Sequence, residues 1–445
     1  MNAIANSSFG RRVVERGRHF LNSPWAGGVV LVVFVVIAML LANMPDTKHI
    51  YHKILGTDLG ISIGDVFSFH IDIEKFINDG LMVVFFFTVG LEIKREIIAG
   101  QLSTFRQAIL PVIAALGGMI APALIFTAIN AGSVYSGGWG IPTATDIAFA
   151  IAIMSMLGNK VPVSLKVFLT ALAIADDLGA IVVIALFYGG TINWTCIALI
   201  AAITVLLLVF RKMGLYKVGY YLIPAVVMWF LFYNSGVHST IAGVVMAMLV
   251  PSKPHLPKKV FLHKAPYYIE EFKFNDKPGV EVLSNENQHH SLLQLRKTAT
   301  DTISMSQRME HLLNPYVTFL IMPIFALANA GVEIKSIAEL NIFSNTLGWG
   351  VFLGLMLGKP IGIFSASFLA VKTKLGTMPA GSNWKMLFAV ACLGGIGFTM
   401  SIFIDTLAFA GQQSIIDEGK IAVLLGSVAS AIFGTILIGL LSKKS

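Results

Sequence analysis

The chain has 445 residues, of which 56% are hydrophobic and 13% are charged, and its mean hydropathy is +0.78. This composition is typical of a protein with many membrane spans and excludes a row of soluble domains. The formal net charge of +8 would suit a nucleic-acid partner in a soluble protein, but here the basic residues flank apolar segments, so we expect no nucleic acid. Cys196 and Cys392 both lie in apolar segments and indicate neither a disulfide nor a metal centre.

Twelve apolar segments predict an all-α polytopic membrane protein with about twelve transmembrane helices. The predicted spans are residues 26–44, 77–98, 108–130, 138–157, 163–188, 194–210, 217–233, 236–250, 313–331, 346–371, 384–409 and 420–442. The predicted regions are a polar N-terminus (1–25), spans one to eight (26–250), a long loop (251–311), spans nine to twelve (312–442) and a polar C-terminus (443–445).

Lysines and arginines are concentrated in alternate connections. They precede span 1, follow spans 2, 4 and 6, surround the loop after span 10 and end the chain: Arg11, Arg12, Arg16, Arg18, Lys94, Arg95, Arg106, Lys160, Arg211, Lys212, Lys217, Lys372, Lys374, Lys385, Lys443 and Lys444. The loops after spans 1, 9 and 11 are mostly acidic. The positive-inside rule therefore predicts that both termini and the 251–311 loop lie in the cytoplasm.

The connection between the first two spans, residues 45–75, carries a predicted β-hairpin on the outer side. Residues 61–69 alternate in polarity on both sides of Gly64 and Asp65, which are suited to a two-residue turn. One interpretation is a solvated hairpin without a role. The other is strand pairing with a second copy, because an isolated hairpin has exposed edges.

The loop 251–311 is polar and mixed in charge. Its asparagine, glutamine and histidine content predicts a partly disordered insertion, with a regulatory element as the alternative.

Two spans are interrupted by small residues. Span 4 contains GGWGIPTATD at 137–146, and span 11 contains CLGGIGFT at 392–399. Such residues release backbone groups from the helical ladder, which membranes tolerate only where protein or a wet cavity satisfies those groups. Spans 3–5 and 10–12 thus correspond as two trios, each with one broken helix, and paired broken helices are typical of a transporter binding site.

Asp176 and Asp177 lie side by side in the middle of span 5. At about 1.5 Å of rise per residue, both are far from the ends of a span that crosses about 30 Å of hydrocarbon. Ionised, unpaired acids there are costly, which indicates that something charged moves past them. Because neighbouring helical residues point about 100° apart, one acid is expected to face the cation path and the other an internal partner. Such a carboxylate is able to hold a proton or a hard cation.

Three further charged residues are predicted at or near membrane depth. Asp79 follows a predicted helix start, where a structural and a functional role are both open. Asp146 follows the break in span 4, where a carboxylate meets the positive end of a half-helix. Lys359 in span 10 needs a carboxylate partner, and a fixed salt bridge to Asp176 is the purely structural interpretation.

Residues 171–179, ALAIADDLG, resemble the hallmark of the NhaA-type sodium/proton antiporters. Further segments resemble motifs of the same family: IPTATD at 141–146, GKPIG at 358–362, NDGLM at 78–82, VGLEIKRE at 89–96, GVHSTIAG at 236–243, FALANAG at 325–331 and GIGFTMS at 395–401. The resemblance extends in order over nearly the whole chain. It implies twelve helices in an inverted repeat, two broken helices that cross at mid-membrane, and a homodimer in lipid of the bacterial inner membrane.

The resemblance also implies a function and a set of site residues. It implies electrogenic export of Na⁺ or Li⁺ driven by proton entry, activation at alkaline pH, no cofactor and no enzymatic activity. Asp177 would be the principal cation and proton carboxylate, with Asp176 beside it paired to Lys359, so that Na⁺ would bind at Asp177 and Asp176. Thr145 and Asp146 would belong to the crossing of the broken helices. The homodimer would form through the hairpin at 59–72.

A second set of residues is implied in the response to pH: Glu92, Arg95, Glu96, His238 and Glu310. Read from the residues alone, the charges at 92–96 equally suit a solvated helix end, and a lone histidine at a helix start is more often structural. The chain departs from the family pattern in its long 251–311 loop and in Asn314, where a histidine is expected. These departures concern regulation and not the transport core.

Two other classes of protein compete with a proton-driven antiporter. A sodium-coupled symporter of a small organic anion shares the crossed-helix arrangement but needs a ligand-sized polar cavity. An intramembrane aspartyl protease needs two aspartates that face one water, for which Asp146 and Asp177 are the candidates. A passive cation channel is disfavoured, because Lys359 beside the acids would repel permeant cations.

Overall fold

The computed structural model describes residues 23–63, 67–278, 280–334 and 345–442, and these residues are predominantly α-helical. The first half comprises α1 (Ala26–Asn43), α2 (Pro45–Leu55), β1 (Asp58–Ile63), β2 (Phe67–Asp72), α3 (Ile73–Ala99), α4 (Phe105–Ile129), a 3₁₀-helix (Ser136–Thr143), α5 (Ile147–Met156), α6 (Val163–Phe187), α7 (Trp194–Lys212), α8 (Gly219–Tyr233) and α9 (Ile241–Leu249). The second half comprises α10 (Lys258–Phe274), α11 (Glu286–Thr302), α12 (Met305–Asn329), α13 (Thr346–Lys372), α14 (Trp384–Leu393), α15 (Phe398–Ala408) and α16 (Gln413–Ser442).

The all-α polytopic membrane fold is confirmed. Within the described residues, nine helical segments are long and apolar enough to cross a membrane, and the bent pair α14 and α15 makes a tenth. The other two predicted spans correspond to shorter helices, α8 with 15 residues and α9 with nine. A continuous helix from residue 236 is wrong, because Gly236 has φ +81° and the helix begins only at Ile241.

The chain divides into two compact units. The first contains residues 1–85, 96–191 and 315–445, and within it α4 and α13 pack backbone to backbone. A Cβ on Gly362 would lie 2.1 Å from the Gly117 carbonyl oxygen, and one on Gly358 would lie 2.7 Å from the Pro122 Cα. Small residues allow such close approach of helices in membranes. This packing fixes α13 at the position from which Lys359 projects.

Both predicted interruptions lie in this first unit. The 3₁₀-helix Ser136–Thr143 ends before an extended segment at 144–146, and α5 begins at Ile147. The second break separates α14 from α15, whose axes differ by 51°. Gly394 to Gly397 lie at this break, and Cβ atoms on Gly395 and Gly397 would clash with neighbouring atoms. The glycines therefore permit the close packing around the break.

Three long helices each contain a π-helical turn, a feature that the sequence did not predict. The turns are Ile77–Leu81 in α3, Val317–Ile321 in α12 and Gly354–Gly358 in α13. A π-turn inserts one residue into the helical ladder and is frequent at functional sites. Asp79 lies within the first turn, and Lys359 directly follows the third.

The second unit contains residues 86–95 and 192–314. In it α7, α8 and α9 pack together, and α10 pairs with α11. The buried amide of Gln288 on α11 donates to the Phe272 carbonyl at 3.2 Å and to Asp276 Oδ1 at 3.2 Å. The described residues of 251–311 therefore form a packed helical pair, and not the partly disordered insertion expected, with Gln288 joining α11 to the end of α10.

The connection between α1 and α3 contains the predicted hairpin. β1 and β2 are antiparallel, and their register pairs Asp58 with Asp72 and Ile63 with Phe67. The two-residue turn expected at Gly64 and Asp65 falls between these strands. The turn itself lies outside the described residues.

Candidate functional site

The Asp146 carboxylate connects the two broken helices. Asp146 is the N-cap of α5, and its Oδ1 accepts a hydrogen bond from the Phe149 amide at 3.2 Å. Its Oδ2 accepts from the amide and the hydroxyl of Thr399, at 3.2 and 2.5 Å. Because Thr399 is in the first turn of α15, one carboxylate lies between the N-termini of two half-helices, where both helix dipoles favour negative charge.

The backbone groups at the breaks also find partners within the crossing. The Asp146 amide donates to the Ile396 carbonyl at 2.6 Å, and the Thr145 hydroxyl donates to the Gly394 carbonyl at 2.8 Å. On the other side of α15, the Ser427 hydroxyl accepts from the amides of Gly397 and Phe398 at 3.2 and 3.1 Å. Protein groups thus replace the hydrogen bonds that the interruptions remove from the helical ladder.

Lys359 and Asp176 form an ion pair between α13 and α6. The ammonium donates to Asp176 Oδ2, and both side chains are 0% exposed. Oδ1 of Asp176 has no hydrogen-bond partner among the described residues, so one oxygen of this carboxylate remains available. Removing either partner of such a buried pair destabilises a protein, because the remaining charge is left uncompensated.

Asp177 is the next residue along α6 and is also buried, with 2% exposure. It points about 100° away from Asp176 around the helix and still interacts electrostatically with the Lys359 ammonium. The two acids therefore face different surroundings, and Asp176 is bonded directly to the lysine.

The ion pair and the crossing lie in the same region of the first unit. Lys359 and Ile363 are four residues apart in the α-helical part of α13 and share a face, since a Cβ on Gly118 would lie 3.7 Å from Lys359 Cδ and 2.8 Å from Ile363 Cγ1. A Cβ on Gly395 would lie 2.3 Å from the Leu355 carbonyl oxygen, and one on Gly394 would lie 2.7 Å from Ile363 Cδ1. The contacts of the α14–α15 break therefore flank the position of Lys359.

Asp79 is inside a helix and not at its start. α3 begins at Ile73, so the expected N-terminal position of Asp79 is wrong, and this residue lies in the π-turn. Its neighbour Asn78 exchanges two amide hydrogen bonds with the fully buried Asn329 of α12, at 3.1 and 2.7 Å. These two hydrogen bonds join the π-turn of α3 to α12 at the residue next to Asp79.

The residues predicted for the pH response are only partly brought together. Arg95 donates to Glu310 Oε1 at 2.9 Å and lies 3.6 Å from Glu92 Oε1, so these three form one surface cluster in the second unit. Glu96 Oε2 accepts from the Gln101 amide at 2.8 Å. His238 lies in the turn before α9, with Nδ1 2.8 Å from the Thr240 hydroxyl.

Lys94 does not belong to a solvated helix end. It is 7% exposed, and its ammonium donates to the carbonyls of Ala247, Met248 and Val250 at 3.1, 2.8 and 2.5 Å. These carbonyls end α9, where a cation complements the negative end of the helix dipole. Lys94 therefore ties α3 to the end of α9 within the second unit.

Sequence reasoning missed two buried charges in the first unit. Asp405 of α15 is 0% exposed and Lys420 of α16 is 2% exposed. Asp405 lies inside the predicted span 384–409, so a complete scan for charges in spans would have found it. Lys420 was placed at the first residue of a span, whereas α16 begins at Gln413 and buries it two turns inside.

Comparison with known proteins agrees with this architecture. The family model described as Na⁺/H⁺ antiporter 1 matches residues 18–438. The chain is 43% identical to the Na⁺/H⁺ antiporter NhaA of Sulfurimonas denitrificans, over 96% of this chain and 95% of the relative. It is 42% identical to NhaA of Helicobacter pylori, over 96% of both chains, and 39% identical to NhaA 1 of Saccharophagus degradans, over 95% of this chain and 91% of the relative. The chain belongs to the NhaA family of bacterial multi-pass membrane Na⁺/H⁺ antiporters.

Proposed function

We propose that the protein exports Na⁺, and also Li⁺, from the cytoplasm in electrogenic exchange for entering protons, and that alkaline pH activates it. The proposal places it in the inner membrane with both termini in the cytoplasm. The observation that carries the proposal is the pair of buried acids on α6, of which one is bonded to the buried Lys359 beside the crossing of two broken helices.

Asp177 is the proposed exchange site. Na⁺ is a hard cation that prefers oxygen ligands, and the carboxylate of Asp177 is the principal ligand in this proposal. The free Oδ1 of Asp176 and the oxygens at the crossing beside Thr145 and Asp146 complete the ligand set. Competition of Na⁺ and protons for this site, exposed alternately to the two sides, is sufficient for exchange.

Lys359 compensates charge in this scheme. Its ammonium neutralises Asp176 while Asp177 is empty, and a cation arriving at Asp177 weakens the attraction between Lys359 and the acids. Either movement of the ammonium or release of its proton then accompanies Na⁺ binding. Both alternatives couple the ion pair to the transport cycle.

The surface cluster of Glu92, Arg95 and Glu310 is the proposed sensor of alkaline pH, together with Glu96 and His238. Its support is the bonding of Arg95 to two carboxylates, one on α3 and one on α12. Changes in protonation there would alter how the two helices are held together.

The test is transport by purified protein in sealed proteoliposomes. Na⁺ added to vesicles with a preformed proton gradient should dissipate the gradient without any organic solute, and it should do so faster at alkaline pH. Li⁺ added in place of Na⁺ should have the same effect. An imposed membrane potential should change the rate if the exchange is electrogenic. A requirement for an organic anion would instead favour the symporter, and an unchanged proton gradient would contradict the proposal.

A further inference from the structure

A row of buried polar groups without hydrogen-bond partners follows the contact between α15 and α16. Both carboxylate oxygens of Asp405, the hydroxyl of Ser401 and the hydroxyl of Ser430 lack a partner among the described residues. The three residues are 0%, 0% and 1% exposed. Leaving a buried polar group unsatisfied costs about 1–3 kcal/mol, so such a row requires an explanation.

The row leads from the crossing of the broken helices toward the loop that follows α15. At its inner end, a Cβ on Gly397 would lie 2.1 Å from the Ser401 hydroxyl and 3.1 Å from the Ala144 carbonyl oxygen. A Cβ on Gly395 would lie 2.7 Å from the Ser430 hydroxyl. Both serine hydroxyls are therefore beside the break that Thr145 and Asp146 hold.

The outer end of the row is Asp405. Ser401 and Asp405 are four residues apart on α15, so they share a face at a spacing of about 5–6 Å between Cβ atoms. A Cβ on Gly419 would lie 2.2 Å from Asp405 Oδ1, so glycine at this position of α16 leaves the space that the carboxylate occupies. α15 ends three residues beyond Asp405, at Ala408.

Charged and titratable groups face Asp405 from two neighbouring elements. Lys420 and Asp417 of α16 interact with it electrostatically, and so does Tyr188, which follows α6. Glu74, at the start of α3, interacts in turn with Lys420 and Asp417. The buried ammonium of Lys420 repels a sodium ion at Asp405, whereas a proton that binds Asp405 forms a covalent O–H bond and leaves a neutral carboxyl group.

We propose that water fills the contact between α15 and α16 and that Asp405 passes protons along it, from the outer side to the crossing of the broken helices. The side chains of Ser401, Ser430 and Asp405 are too far apart for direct hydrogen bonds to one another. Waters that bridge them would satisfy their unpaired polar atoms. In each transfer one O–H bond breaks and another forms: Asp405 takes a proton from outer water, gives one to the inner water, and returns to its starting state. The inference rests on the proposed proton-coupled exchange and adds an entry route to it.

The transport test uses Asp405→Asn in the full chain, reconstituted in proteoliposomes. We expect Na⁺-driven proton flux to fall at least about tenfold, since a positioned proton-transfer group typically contributes more than that. Na⁺ affinity of the purified protein should not change, and Asp405→Glu should recover much of the flux. Thr406→Val, one residue further along α15, is the matched control and should transport normally. Normal flux in Asp405→Asn would overturn the proposal.

The accessibility test keeps Asp405 and therefore does not depend on folding of its variants. In a chain with Cys196→Ser and Cys392→Ala, Ser401→Cys should react with 2-aminoethyl methanethiosulfonate added from outside. The equally buried control Ile402→Cys should not react, because its side chain is on another face of α15. An unreactive Ser401→Cys would overturn the hydrated route. If wild-type protein shows no Na⁺-dependent proton flux, the proposed exchange fails, while the labelling still decides whether the route is hydrated.

Discussion

Asp176 and Asp177 are consecutive residues with different environments. The Asp176 carboxylate accepts a hydrogen bond from the Lys359 ammonium through Oδ2. Its Oδ1 has no hydrogen-bond partner among the described residues. Asp177 faces another direction around α6 and interacts electrostatically with the same ammonium. Because a helix separates neighbours by about 100°, a pair of identical side chains is able to divide two tasks between them. Substitutions at Asp177 and at Lys359 separate those tasks.

Asp177→Asn should abolish Na⁺/H⁺ exchange and leave the protein folded in the membrane. The amide keeps the size of the side chain but removes the charge that binds a cation or a proton. Proton flux in proteoliposomes and the thermal unfolding curve are the two measurements. Exchange at the normal rate and Na⁺ affinity would refute the assignment of Asp177.

Lys359→Ala should destabilise the protein by about 3–5 kcal/mol, because it leaves the Asp176 charge buried without its partner. Its Na⁺ affinity or pH dependence should change as well. Thermal unfolding measures the first effect, and the double variant Lys359→Ala with Asp176→Ala should regain part of the loss. Lys372→Ala, at the exposed end of α13, is the control that should unfold like wild type. An unchanged unfolding temperature in Lys359→Ala would remove the stabilising role.

At the scale of elements, the packing of α4 against α13 determines where Lys359 projects. Gly117 and Gly362 bring the two backbones together, and the π-turn Gly354–Gly358 changes the direction of side chains just before Lys359. The position of the lysine is thus a property of two helices and one irregular turn.

Gly362→Ala should lower the unfolding temperature and reduce exchange. Its methyl group would meet the Gly117 backbone at 2.1 Å, and backbone has little freedom to move aside. Thermal unfolding and proton flux test this expectation. Gly439→Ala, in α16, has open space at the corresponding position and should behave as wild type. Equal stability of both variants would contradict the tight α4–α13 contact.

The same elements show why parts of the fold were predictable and others were not. Hydropathy identified the spans, and glycine with proline identified both breaks, because these are local properties of the chain. The π-turns have no such local signature. The hydrogen bond between Asp146 and Thr399 joins residues 253 positions apart, so no local pattern indicates it. Lys420 lies at a predicted span end, where only packing reveals that it is buried, whereas Asp405 lies inside a predicted span and was detectable from the sequence. Asp176 and Lys359 were paired from charge balance alone, and their roles in transport stay predictions.

At the scale of the whole molecule, the hairpin of β1 and β2 is the proposed dimer contact. A two-stranded hairpin alone is marginally stable and has unpaired edges, which a second copy would cover. Deleting residues 59–72 should convert a homodimer into monomers in detergent, with exchange retained because the site lies within one chain. Size-exclusion chromatography with light scattering measures the mass. A dimer that survives the deletion would exclude the hairpin as its main contact.

Asp146 has a consequence for movement within the first unit. Its single carboxylate holds the first turns of α5 and α15 at once, and the Thr145 hydroxyl and the Asp146 amide add two more bonds to the second break. If α15 moved alone, the carboxylate would lose both donors of Thr399 inside the membrane. We therefore expect the two broken helices to move as one rigid body in the proposed exchange cycle, with the hinges of that motion outside their crossing.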